Sequence, residues 1–182
     1  MNKKLMTVLL TCLSFQTFAA NPTFNYFDMG YVVWRADNIS LSSSLKGLEL
    51  KASKTINDYL YVSGDLNYVS RNSNSLTLVT AGIGYMNHFS DNTSFFAELD
   101  IANISIENGN NETGYEATVG VRTMLTEALE LKGAIEYLDI NGGDSSFNLG
   151  TAYMFNERFG AYFDYKINQD VDRFSLGLRL SF

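Results

Sequence analysis

Proline, cysteine, histidine and tryptophan each occur once in this 182-residue chain. A lone Cys12 excludes a disulfide framework. One His and one Cys leave no ligand set for zinc, and no Asp/Asn spacing matches a calcium loop, so no metal or other cofactor is expected. Charge is sparse and of the wrong sign for nucleic acid: 18% of residues are charged and the net charge is −7, whereas phosphate contacts need clustered Lys and Arg. No apolar run is long enough for a membrane-spanning helix, which takes about 20 residues. A mean hydropathy of −0.07 and a hydrophobic content of 46% would suit a soluble globular protein, and the length suits one domain. Against these shortages stand 14 Gly, 13 Phe and 11 Tyr.

The first 19 residues read as a secretory signal. Lys3 and Lys4 form a basic start, Leu5 to Phe18 a mostly apolar stretch, and Thr17-Phe18-Ala19 a small-x-small cleavage site. The stretch is too short and too polar-interrupted to anchor the chain in a bilayer. Cys12 does not suit a lipoprotein site, because Thr11 precedes it and the apolar run continues past it. Cleavage after Ala19 leaves a single domain, residues 20–182, without cysteine; losing Lys3 and Lys4 takes the formal charge from −7 to −9.

From Phe24 onward the dominant pattern is period-2 alternation, the mark of strands with unlike faces. At the C-terminus Phe174, Leu176, Leu178, Leu180 and Phe182 alternate with Arg173, Ser175, Gly177, Arg179 and Ser181. Similar runs begin near Leu48, Leu60, Val79, Phe95, Tyr115, Leu129, Phe147 and Phe159, and with a first strand near Phe24–Arg35 the count is ten. Thr126–Tyr137 is rich in helix formers, yet it falls into an internal repeat that predicts a strand. Tight turns at Asn57-Asp58, Asp91-Asn92, Thr126-Glu127 and Asn156-Glu157 place acids 33, 36 and 30 residues apart, one hairpin per period. The other connections, Ala36–Leu45, Ser70–Ser75, Asn103–Gly114, Ile140–Ser145 and Asn168–Val171, are mostly longer and rich in Ser, Asn and Gly. Short turns at one end and longer polar loops at the other predict an antiparallel up-and-down barrel in an outer membrane, with both termini in the periplasm.

A soluble barrel keeps its apolar face inside, and a membrane barrel turns it out. Three features favour the second. Gly82, Gly84, Gly120, Gly150, Gly160 and Gly177 lie on the polar face, where a narrow interior needs small residues. Tyr and Phe on the apolar face gather at strand ends, as two interfacial girdles would. No apolar-face position within the runs carries a charge. The scarcity of Pro fits as well, since in lipid every backbone N–H needs a partner.

With this export signal and the ending Phe174-x-Leu176-x-Leu178-x-Leu180-x-Phe182, the chain resembles the small outer-membrane β-barrel proteins of Gram-negative bacteria, the broad group of OmpA-type transmembrane domains and opacity-like, porin-family surface proteins. The ending resembles the C-terminal signal read by the outer-membrane assembly machinery. The resemblance spans all 163 residues after the signal as a pattern. It implies a monomer in contact with outer-membrane lipid and lipopolysaccharide, and the assembly machinery as a partner during biogenesis. The better-known small members have eight strands, so eight is the alternative to ten.

The polar face carries Glu49, Asp65, Glu98, Asp100, Glu116, Glu130, Glu136 and Asp164 against Lys51, Arg122, Lys132, Lys166, Arg173 and Arg179. Paired acids and bases would plug a barrel this small; a charged pathway for ions is the alternative. His88-Phe89-Ser90 resembles the His-x-Ser pair of outer-membrane lipid A deacylases, but it falls at a tight turn on the end assigned to the periplasm. A non-enzymatic structural or surface protein is therefore expected, with a small passive channel as the alternative and Asn103–Gly114 as the longest loop available to partners.

Overall fold

The computed structural model describes residues 21–36, 44–72, 74–107, 109, 111–140 and 142–182. The export signal at residues 1–19 and most of the Ala36–Leu45 loop lie outside the described residues. Ten strands follow in order: β1 Tyr26–Ala36, β2 Leu45–Thr55, β3 Leu60–Arg71, β4 Asn74–Ser90 and β5 Thr93–Ile106. The second half contains β6 Asn111–Met124, β7 Leu129–Asp139, β8 Asp144–Met154, β9 Phe159–Asn168 and β10 Val171–Ser181. Each strand pairs antiparallel with its sequence neighbours, and β1 pairs with β10 from Tyr26↔Ser181 to Ala36↔Val171. Closure leaves no free edge. The ten-strand count expected from the alternation is what the structure shows.

Local chemistry explains the elements. In β7 the helix-forming composition is overridden, because only an extended chain turns Leu131, Ile135 and Tyr137 out while Glu130, Lys132 and Glu136 turn in. Ladders to β6 and β8 satisfy its backbone on both sides. Three of the tight turns share one construction. The side-chain oxygen of Asn57, Thr126 or Asn156 accepts the amides two and three residues on, at 2.9–3.2 Å. The amide just before it donates to a carbonyl four residues on, in the pairs Ile56–Leu60, Leu125–Leu129 and Phe155–Phe159. The carbonyls of Tyr59, Asn92, Ala128 and Arg158 then accept from Met86, Met124, Met154 and Ser181 of the next hairpin.

The opposite end departs from expectation. Most of Asn103–Gly114 is strand, with β5 running to Ile106 and β6 resuming at Asn111. Paired backbone satisfies the amides of this polar stretch as well as solvent would, so Ser, Asn and Thr there do not imply a long loop.

Burial is inverted relative to a soluble protein. Ile101 is 70% exposed and Leu176 and Leu178 are each 62% exposed, whereas Asp28 is 0% and Glu49 1% exposed. The apolar face covers the outside of the barrel and the charges line its lumen, the arrangement of a barrel in lipid. No helix among the described residues is long and apolar enough to cross a membrane.

Candidate functional site: the barrel lumen

Even-numbered residues of β1 and β4 to β9, and odd-numbered residues of β2, β3 and β10, face inward. The strand register stacks them into layers. Nearest the tight turns a chain of charges spans the lumen from β1 to β6. Arg179 Nε and Nη2 donate to the two Asp28 oxygens at 2.8 Å each, and Arg179 Nη1 lies 3.5 Å from Glu130 Oε1. Arg122 Nε and Nη2 donate to Glu130 at 2.7–3.0 Å. The Tyr26 ring lies 4.2 Å from the Arg179 guanidinium and 5.2 Å from that of Arg122.

The middle layer centres on Lys51, whose Nζ lies 2.9 Å from Glu49 and 2.6 Å from Asp164. Lys132 reaches the other Asp164 oxygen at 3.0 Å. Tyr162 Oη and Ser175 Oγ donate to Glu49 at 2.9 and 3.0 Å. Toward the long-loop end Lys166 contacts Glu136 and lies 3.8 Å from Glu116, while Asn148 Nδ2 donates to Glu136 at 2.9 Å. Arg173 stacks on Trp34 at 4.2 Å. Asp65 accepts from Asn67 Nδ2, and Asp100 accepts from Ser63 Oγ at 3.4 Å across Gly82. Among the described residues Asp65, Glu98 and Asp100 make no ion pair within 4 Å, so the β3–β5 wall is acidic while the lumen cations project from β2, β6, β7, β9 and β10.

Within this network remains a polar cavity of about 120 Å³, room for several waters. Its two ends differ. At the tight-turn end Phe24, Tyr61, Met86, Phe96 and Ala134 form a buried apolar cluster. Inward glycines admit these rings: the Tyr61 ring occupies the place of a side chain at Gly84, and a Cβ on Gly120 would stand 2.7 Å from the Phe96 ring. At the other end Val32, Val69, Leu78 and Ala102 are buried on the β1–β5 side, but Glu116, Lys166 and Arg173 opposite them keep partial exposure.

The structure therefore points all fourteen lumen charges expected from the sequence inward and joins ten of them through ion pairs. Of the C-terminal residues, Leu176, Leu178, Leu180 and Phe182 are exposed on the outer face, and Phe174 stacks on Tyr165 at 4.5 Å. Asp28, Tyr26, Phe24 and Tyr162 are lumen residues that the sequence reading missed. In β1 the inward Val32 and Trp34 are as apolar as the outward Met29, Tyr31 and Val33, which blurs the alternation that would have exposed Asp28. The His-x-Ser pair does not form. A β-bulge between His88 and Ser90 breaks the same-face relation of residues two apart. His88 Nδ1 instead meets Ser94 Oγ at 2.8 Å, and Ser90 Oγ donates to Asn92 at 2.9 Å.

No protein-family model matches the sequence, and no curated protein is significantly similar to it. Solved structures do share its fold. The COG4313 outer membrane channel from Pseudomonas putida F1 is 12% identical with a TM-score of 0.52, over 93% of this chain and 98% of that one. The outer membrane protein OprG from Pseudomonas aeruginosa is 11% identical with a TM-score of 0.48, over 91% and 99%. Ail, the attachment invasion locus protein of Yersinia pestis, is 13% identical with a TM-score of 0.42, over 88% and 100%. The chain has the fold of the bacterial outer-membrane β-barrels, with its apolar face turned out to lipid.

Proposed function

We propose that this chain is a non-enzymatic structural or surface protein of the outer membrane whose lumen is shut by its own side chains. The observation that carries this reading is the Phe24–Tyr61–Phe96 cluster, which together with the Asp28–Arg179–Glu130–Arg122 chain beside it fills the tight-turn end of the lumen. Buried charges in that arrangement are held by their partners and are not free to hand ions along. On this reading the protein is a monomer in contact with outer-leaflet lipid and lipopolysaccharide, delivered by the outer-membrane assembly machinery. The polar cavity and its acidic β3–β5 wall favour one second reading, a small passive channel preferring cations.

Planar-bilayer recording on the refolded protein separates the two. The closed-lumen reading predicts a silent bilayer at low voltage. Reproducible conductance steps whose ion selectivity changes with Glu98→Gln or Arg122→Gln would establish the channel instead.

A further inference from the structure

Residues Asn21–Asn25 precede β1; the carbonyl of Asn25 still accepts from Phe182 N at 3.2 Å in the β1–β10 register, and the chain before it leaves the line of the wall. Pro22 and Phe24 are buried, although they lie outside every strand. With its amide turned to donate, Asn21 reaches the carbonyls of Ser90 and Asp91 at 3.1 and 3.2 Å. Those carbonyls belong to the β4–β5 turn, which is three strands around the ring from β1. A segment that starts β1 and ends at that turn crosses the mouth of the barrel.

Midway across, the Phe24 ring drops into the lumen and is 3% exposed. Its partners come from the far wall: Tyr61 of β3 at 4.8 Å, Phe96 of β5 at 6.2 Å, and the Arg122 guanidinium of β6 at 4.5 Å. The strap's anchors are of another kind. Asn25 Oδ1 accepts from Thr55 N and Oγ1 at 2.8 Å each, and Asn25 O accepts from Phe182 N at 3.2 Å, while Asn25 N donates to Thr23 Oγ1 at 3.1 Å within the strap. The Phe24 ring with its Arg122 contact, the buried Pro22 and a few neutral hydrogen bonds hold the strap, whereas ladders and ion pairs hold the wall beneath it. The strap is therefore the weakest element closing this end.

From this asymmetry we infer that Asn21–Asn25 is a releasable stopper, and that lifting Phe24 out of the lumen joins the polar cavity to the periplasm. At the other end Lys166 and Arg173 keep partial exposure, so release gives small ions an aqueous path past the lumen charges. This inference rests on the closed-lumen reading and gives that lumen a second state.

The test uses the whole chain from residue 20, refolded into planar bilayers, with the heat-dependent mobility shift on an SDS gel confirming an intact barrel. Phe24→Ala and a deletion of residues 21–24 should both open the lumen. Asn25→Ala keeps the ring but removes its main anchor. It should raise the frequency of brief openings by roughly tenfold, which corresponds to about 1.4 kcal/mol, without raising the unit conductance above that of the deletion. Folded deletion and Phe24→Ala proteins that stay silent would overturn the stopper and leave the closed lumen standing. Openings with Phe24→Ala but none beyond wild type with Asn25→Ala would show Phe24 to be fixed filler. A wild-type protein that conducts as well as the deletion would overturn the closed-lumen reading itself.

Discussion

Asp28 is the lumen carboxylate with the most to lose. It is fully buried and takes both of its hydrogen bonds, 2.8 Å each, from Arg179. Removing one partner of such a pair costs about 3–5 kcal/mol, because the other charge is left buried and uncompensated. The two single changes should differ within that range. Asp28→Leu leaves Arg179 with a 3.5 Å contact to Glu130 and the Tyr26 ring at 4.2 Å, so its cost belongs at the low end, about 3 kcal/mol. Arg179→Met strands an Asp28 that has no other cation within 4 Å among the described residues, which belongs at about 5 kcal/mol. The double variant replaces the pair by apolar groups of similar bulk and should lie within about 1 kcal/mol of wild type, since buried pairs exchanged for well-packed hydrophobic residues are often neutral. Urea titration in detergent micelles, followed by fluorescence of the single Trp34, measures all four corners of the cycle. Additive costs, with a coupling below about 0.5 kcal/mol, would mean that water reaches Asp28 and that the lumen is wet there.

Other outcomes follow from other parts of the barrel. Leu178→Arg, on the outer face of β10, should cost about 2–4 kcal/mol if it sits near the bilayer midplane, measured by the same titration in lipid vesicles; no loss would mean the faces are assigned in reverse. Gly84→Val should block folding or displace Tyr61, whose ring fills that space, and a normal heat-dependent gel shift together with an unchanged bilayer record would contradict this. Tyr165→Leu, which keeps apolar bulk but removes the ring, should lose about 1 kcal/mol of stacking on Phe174 beyond what Tyr165→Phe loses in the same unfolding assay. Edman sequencing of protein recovered from the outer membrane should begin at Ala20; a start elsewhere would move the cleavage site and the free end of the strap.

Much of the architecture was legible because lipid on one side and charge on the other force strict alternation. β10 shows this best: every second residue from Phe174 to Phe182 is apolar, and the structure turns them all outward. The charged lumen was legible for the same reason, since no charge interrupts the apolar face of a reading run. Legibility failed where both faces are apolar. In β1 the inward Val32 and Trp34 mask the parity that assigns Asp28 to the lumen. In β5 beyond Ala102 the polarity reverses, with Ile104 on the inward side and Asn103 and Ser105 on the outward side, so a paired hairpin read as a loop. Phe24 was illegible for a different reason. Its partners are 37, 72 and 98 residues away in sequence, at Tyr61, Phe96 and Arg122, and no local pattern reports a contact closed by the ring as a whole.

The matching turns at Asn57, Thr126 and Asn156 have a consequence for how such a chain can change its size. Each turn satisfies its own amides from within, through a single side-chain oxygen. Each also offers one carbonyl to whichever hairpin stands next to it. A hairpin bounded this way is a complete module: its tight-turn end needs nothing from a particular neighbour. Duplicating or deleting one would leave every remaining turn intact and would alter the strand number by two, which preserves closure and keeps both ends of the chain on the same side. Barrel width is thus an adjustable property here, open to revision by whole hairpins, while the lumen charges must be re-matched each time the circumference changes.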